Sequence, residues 1–170
     1  MAKTKKPGKS QNQPDFGVHF HTDAPTPIDY ESRSGPNLCH DIVYLASYIH
    51  DARFKIEHVK LHRTTLTIPL ERDRWELYKS RGRLGSVKSH LTICPALSIL
   101  WELSGPLTAR GGISRVRELF VKDLYLGESY WEDENAGEVV LSNRGIFKLR
   151  IRVFEPFVIR LTDLARKSRH

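Results

Sequence analysis

Apolar residues along this chain fall into two rhythms. Between Asn37 and Phe54, Leu38, Ile42, Leu45, Ile49 and Ala52 recur at steps of four, three, four and three. That spacing gathers side chains on one face of an α-helix, so the stretch predicts one main amphipathic helix over about 37–53. Pro36 turns the chain into it. Asn37 stands at the N-cap position, where its side-chain oxygen is expected to accept a first-turn N–H.

Elsewhere the rhythm is alternation. Phe16, Val18 and Phe20 oppose His19 and His21 in a short strand. Phe54 and Ile56 alternate, then Val59 and Leu61 alternate in the other phase, which predicts a bulge near Glu57–His58 or a strand that begins at His58. Arg63-Thr64 reads as a turn, with Leu66, Ile68 and Leu70 pairing back. Leu91, Ile93, Pro95, Leu97, Ile99, Trp101 and Leu103 all fall on odd positions. Proline has no N–H for a ladder, so this run is expected to break into two strands at Pro95. Strand resumes near Glu118, beyond which Glu128 to Gly137 reads as an acidic loop. Three further strands follow over 139–141, 147–153 and 157–161, with turn chemistry at Asn143-Arg144-Gly145 and Glu155-Pro156. Ile42, Leu45, Ile49, Ile99 and Trp101 form the expected core.

One helix among strands joined by short turns, without strand–helix alternation, excludes a doubly wound parallel sheet. The pattern predicts an α+β fold, a predominantly antiparallel β-sheet or sandwich with the helix packed on it. Residues 16–164 read as a single globular domain. Residues 1–15 read as a disordered basic tail and 165–170 as a basic C-terminal tail.

Composition changes this picture little. A chain of 170 residues buries enough surface to hold a core without disulfides or metals. No apolar run reaches the ~18 residues of a membrane span, and the opening MAKTKKPGKSQNQPDF lacks the apolar segment of a secretory signal. With two cysteines, Cys39 and Cys94, the expectation is a cytoplasmic protein with reduced thiols, Cys94 being a small core residue. The net charge of +7 sits chiefly at the ends. Residues 1–17 carry +3 from Lys3, Lys5, Lys6 and Lys9 against Asp15, and residues 160–170 another +3, leaving +1 for 18–159. A basic face gripping phosphate is therefore not expected on the body. Weak nonspecific nucleic-acid contact through Lys3, Lys5, Lys6, Lys9, Arg166, Lys167 and Arg169 is.

The candidate chemistry is scattered. His40-Asp41 and His50-Asp51 lie about 15 Å apart along a helix, too far to share an ion. His19-x-His21 is the better metal candidate, because alternate strand residues lie about 6.6 Å apart on one face; Cys39 or His40 is the nearest third ligand in kind. His58 and His62 are too far apart for one ion even on an unbroken strand. Arg110-Gly111-Gly112 with Arg115 and Arg117 lacks the Gly-Lys-Ser/Thr that completes a nucleotide loop. Glu128, Glu132, Asp133, Glu134 and Glu138 lack the spacing of a calcium loop. Tyr130, Trp131, Glu132 and Asp133 combine aromatics with carboxylates and are the expected binding residues, since aromatic side chains carry much of the energy at interfaces. The sequence thus points to a non-enzymatic binding or structural module that meets another protein or itself, with no cofactor and no membrane contact. The alternative is a small metal-dependent enzyme built on His19 and His21.

Overall fold

The two longest alternations become the two longest strands in the computed structural model, which describes residues 27–75, 85–104, 118–127, 136–143 and 146–165. Strand β5 (Ser86–Leu103) and strand β9 (Phe147–Asp163) run antiparallel from Ser89 opposite Asp163 to Leu103 opposite Phe147. Every other strand is added to this ribbon. β4 (Thr65–Asp73) pairs with the first half of β5 and carries β3 (Lys60–His62) and β2 (Arg53–Phe54). β8 (Ala136–Asn143) pairs with the first half of β9 and carries β7 (Asp123–Gly127). β1 (Asp29–Arg33) pairs with the last residues of β9, and β6 (Leu119–Phe120) with β2. All pairings are antiparallel. The described strands form one sheet rather than a sandwich.

That sheet curls, because its two ends are made by a single stretch of chain. The path from β6 through β2, β4, β5, β9 and β8 finishes on β7, which follows β6 after two residues. Those residues bond both ends: Val121 exchanges backbone hydrogen bonds with Asp51 and Ala52, and Lys122 N donates to Ser142 O. The helix α1 (Leu38–Ile49) packs inside the curl against β7, β1 and β4. Its stripe of Leu38, Ile42, Leu45 and Ile49 is buried as the spacing predicts, joined by Tyr48 and, past the helix end, by Ala52. Facing it are Leu66, Ile68, Leu91, Ile93, Ile159 and Leu161 from β4, β5 and β9. No helix of the described residues is long and apolar enough to cross a membrane.

Several details differ from expectation. Asn37 does not cap with its side chain, because its backbone is already near-helical (φ −93°, ψ −3°) and not in the extended conformation a side-chain cap uses. Leu38 N donates instead to Gly35 O, and Asp41 N to Asn37 O. The helix stops at Ile49, and Asp51 takes a left-handed backbone (φ 61°) that turns the chain into β2. The phase slip after Ile56 is a 3-10 turn over Ile56–His58, with β3 starting at Lys60.

Neither long run is cut in two. Pro95 and Glu155-Pro156 lie opposite each other at one irregularity, where the register passes from Cys94–Val158 to Ala96–Val153. Each strand is disturbed there and then continues with its inward parity intact. Glu155-Pro156 is therefore not a chain reversal. Leu97, beside the irregularity, is left exposed. Ile99 and Trp101 face inward but are only partly buried, because β4 pairs with β5 no further than Ile93 and leaves the later residues uncovered on that side. Trp101 packs its ring 6.3 Å from both Phe54 and Phe147.

Candidate functional site

Strict alternation carries three polar residues inward at one end of the sheet. Arg72 follows Leu66, Ile68 and Leu70 on the inner face of β4, and Asp163 follows Phe157, Ile159 and Leu161 on that of β9. Ser89 lies opposite Asp163 on β5. Arg72 Nε and Nη2 donate to the two Asp163 carboxylate oxygens at 3.0 and 2.7 Å. Ser89 Oγ donates to Oδ1 at 2.6 Å and Ile28 N to Oδ2 at 3.0 Å. Burial alone would raise the Asp163 carboxyl, but the Arg72 and Ser89 hydrogen bonds, the Arg72 charge and the Ile28 amide together hold it below the usual range. The guanidinium also lies 5.6 Å from the Tyr48 ring centre, within cation–π reach.

A chain of tyrosines leads from there to the helix start. Tyr48 Oη donates to Tyr44 Oη at 2.8 Å, and the Tyr44 ring lies 4.9 Å from that of Tyr30. Tyr30 Oη and Ser32 Oγ each donate to Asp41 at 2.8 Å. Burial, reinforced by that carboxylate, pushes the Tyr30 hydroxyl up to about 12. Asp41 therefore ties β1 to α1. Its neighbours Cys39 and His40 are exposed.

The other His-Asp pair closes the far end of the helix. His50 Nδ1 lies 2.9 Å from Asp51 Oδ2, Lys122 Nζ pairs with Oδ1, and Trp75 Nε1 donates to His50 O at 3.3 Å. Burial and the Lys122 charge push the imidazole below its ordinary value, against a weaker opposing pull from Asp123. The cluster joins the end of α1 to the stretch that closes the sheet. No group of three His, Cys, Asp or Glu among the described residues is arranged to hold a metal. His58 and His62 are exposed on the 3-10 turn and β3. Cys94, expected in the core, lies between inward Ile93 and Ala96 and is only half-buried, accepting a 3.5 Å hydrogen bond from Thr65 Oγ1.

A third arrangement lies on the outer face of the four strands β7, β8, β9 and β5. Pairing registers align Tyr125, Val140, Arg150 and Leu100 in one row across them. Arg150 bridges outward carboxylates on both neighbouring strands, with Nη1 2.9 Å from Glu138 Oε2 and Nε 2.5 Å from Glu102 Oε1. Leu100 and Tyr125, at the ends of the row, are 58% and 38% exposed, whereas Val140 within it and Glu138 beside it are buried. The rows beside it hold Asp123, Lys148 and Glu102 on one side and Glu138 and Arg152 on the other. The face thus alternates cations with anions around two apolar contacts.

The binding residues expected from sequence, Tyr130, Trp131, Glu132 and Asp133, lie outside the described residues. Their segment joins Gly127 of β7 to Ala136 of β8. Glu138, expected in the acidic loop, is instead a β8 residue bonded to Arg150, because strand pairing begins at Ala136. Lys3, Lys5, Lys6, Lys9, Arg166, Lys167, Arg169, His19, His21, Arg110, Gly111, Gly112, Arg115 and Arg117 also lie outside the described residues. Sequence reasoning missed the row through Arg150, although the outward phase of Lys148, Arg150 and Arg152 against inward Phe147, Leu149 and Ile151 signals it. The partners on β5 and β8 depend on register and were not legible. In comparison with known proteins, no family model, no curated protein and no solved structure matches this chain.

Proposed function

We propose that this protein is a non-enzymatic, cytoplasmic binding module whose partner is another protein. Its proposed recognition residues are those on the outer face of β7, β8, β9 and β5, together with Tyr130, Trp131, Glu132 and Asp133 of the sequence between β7 and β8. The observation that carries the reading is the row in which Tyr125 and Leu100 stand exposed on either side of Arg150. Tyr and Arg are among the residue types enriched at interface hot spots. The charges beside that row alternate in sign and favour a protein surface over a uniform run of phosphates. The most reactive-looking groups, His50-Asp51 and Arg72-Asp163, are engaged in joining elements of the fold.

The test is quantitative capture from lysate by the intact chain and two variants, Leu100→Asp/Tyr125→Ser and Tyr130→Ser/Trp131→Ser. Each variant is expected to lose the proteins that the wild type captures while unfolding at nearly the same midpoint. Capture indifferent to both variants would remove the proposed surface. Stoichiometric zinc or iron that is lost on changing His19 and His21 to Ala would replace the binding reading with an enzymatic one.

A further inference from the structure

We infer that β1 is an open sheet edge at which two copies of this chain join, antiparallel and symmetric about Glu31. The inference concerns a surface distinct from the outer face of β7, β8, β9 and β5 and stands or falls separately from it.

The hydrogen-bond phase of β1 establishes the edge. Asp163 N donates to Ile28 O, and Ser34 N donates to Phe157 O. In an antiparallel pair the bonded residues alternate, so Ile28, Tyr30, Ser32 and Ser34 direct their backbone groups toward β9. The N–H and C=O groups of Asp29, Glu31 and Arg33 then point the other way. Among the described residues none of these groups has a hydrogen-bond partner. All three residues are exposed. An unpaired edge of this kind is a template for another strand.

The charges on that edge identify the occupant. Asp29, Glu31 and Arg33 share the outer face of β1 by strand parity. When two copies pair about Glu31, Asp29 of each lies opposite Arg33 of the other, giving two opposite-charge pairs. Glu31 meets Glu31, but each carboxylate is already 2.8 Å from its own Arg33 and 3.9 Å from Arg160. The central row therefore reads Arg160, Glu31, Glu31, Arg160 across the junction, with no uncompensated charge. The same register lets the outward N–H and C=O of Asp29, Glu31 and Arg33 exchange bonds with their counterparts, producing one continuous sheet. The edge at β3 offers no such match, since Lys60 and His62 flank Leu61 without a carboxylate.

Sedimentation equilibrium of the full chain over a concentration series, with amide exchange at residues 29, 31 and 33, tests this. The wild type is expected to form a reversible dimer in which these amides are protected. Glu31→Pro removes an N–H that a single copy leaves unpaired, and proline is tolerated on edge strands. It should give a monomer whose unfolding midpoint equals that of the dissociated wild type. Arg33→Asp puts two carboxylates opposite each other at both ends of the junction and should weaken dimerisation on the order of tenfold. A monomer at every concentration overturns the inference, as does a dimer insensitive to both variants. Slow exchange of these amides in a monomer also overturns it, by showing that the chain itself covers the edge.

Discussion

Two Asp–Arg pairs meet on β9 with nearly the same geometry and opposite solvation. In one, Arg72 Nε and Nη2 reach the two oxygens of Asp163 at 3.0 and 2.7 Å. In the other, Arg160 Nε and Nη2 reach the two oxygens of Asp29 at 2.8 and 2.6 Å. The first pair is 0% exposed on both side chains, whereas the second is 48% and 52% exposed. Asp163 and Arg160 are three residues apart, an odd step along the strand, so parity sends one inward and the other outward. Fork geometry alone therefore does not set the weight of an ion pair. The buried pair must have its other polar capacity met, and Ser89, Ile28 N and Asp73 O contribute to this. The exposed pair adds a 3.1 Å hydrogen bond from Thr162, and solvent screens its charges.

Breaking the inner pair is expected to have the largest effect. Asp163→Ala removes the carboxylate that the fully buried Arg72 guanidinium grips and should cost on the order of 3–5 kcal/mol, read from denaturant midpoints. Arg72→Met/Asp163→Leu removes both charges, and its loss should be much smaller than that of Asp163→Ala. A double variant as unstable as the single one would mean that shape, not charge, holds this corner together. Next in size is the apolar stripe of α1. Leu45→Ala leaves a cavity under α1 and should cost on the order of 2–5 kcal/mol. A midpoint near wild type would show that the helix does not seal the sheet.

The helix stripe and strand alternation were legible because each depends on local periodicity. Leu38, Ile42, Leu45 and Ile49 needed only a repeat near 3.6, and Leu66, Ile68 and Leu70 only a repeat of two. The continuity of β5 and β9 was not legible. A proline reads as a break when one strand is considered alone, but Pro95 and Pro156 share one irregularity where both partners lose register together. Asp163 continues the inward alternation of Phe157, Ile159 and Leu161, but its partners Arg72 and Ser89 come from other strands and depend on register. The row through Arg150 was hidden for the same reason. Glu102, Glu138 and Arg150 are far apart in sequence and meet only through strand order. The binding reading in the sequence rested on Tyr130 and Trp131, which lie outside the described residues.

pH sharpens the contrast more gently. The Asp163 carboxyl is held below its ordinary value in the fold, so its contribution is present above the unfolded value and is lost as pH falls through the folded one. His50, likewise depressed, acts in the same direction, because acid charges it more readily in the unfolded chain. Wild type should lose stability on acidification, and Arg72→Met/Asp163→Leu should lose less over the same range. Tyr30 acts at the opposite end of the scale. Its hydroxyl is raised from 10.0 to about 12, so its contribution is complete below the ordinary value and disappears as pH rises through the folded one. Tyr30→Phe should remove that alkaline step, seen as one fewer late-ionising tyrosine in an absorbance titration. An unchanged titration would mean that Asp41 does not hold this hydroxyl.

The smallest effect is expected where the geometry looks best. Asp29→Ala deletes the shorter of the two forks and the Thr162 contact with it. Arg160 is then left on the surface, where water takes over and Glu31 lies 3.9 Å from its Nη1. The Asp29 carboxyl is held low first by the Arg160 hydrogen bonds, but an exposed pair of this kind is screened and its arginine is solvated when the partner is lost. The unfolding midpoint of a single copy should stay close to wild type and the small difference should fade further in high salt. The same salt series should leave the defect of Asp163→Ala nearly intact, because ions do not reach a fully buried charge. If Asp29→Ala proved as damaging as Asp163→Ala in both salt conditions, the fork itself would carry the energy, and the argument from burial would fail.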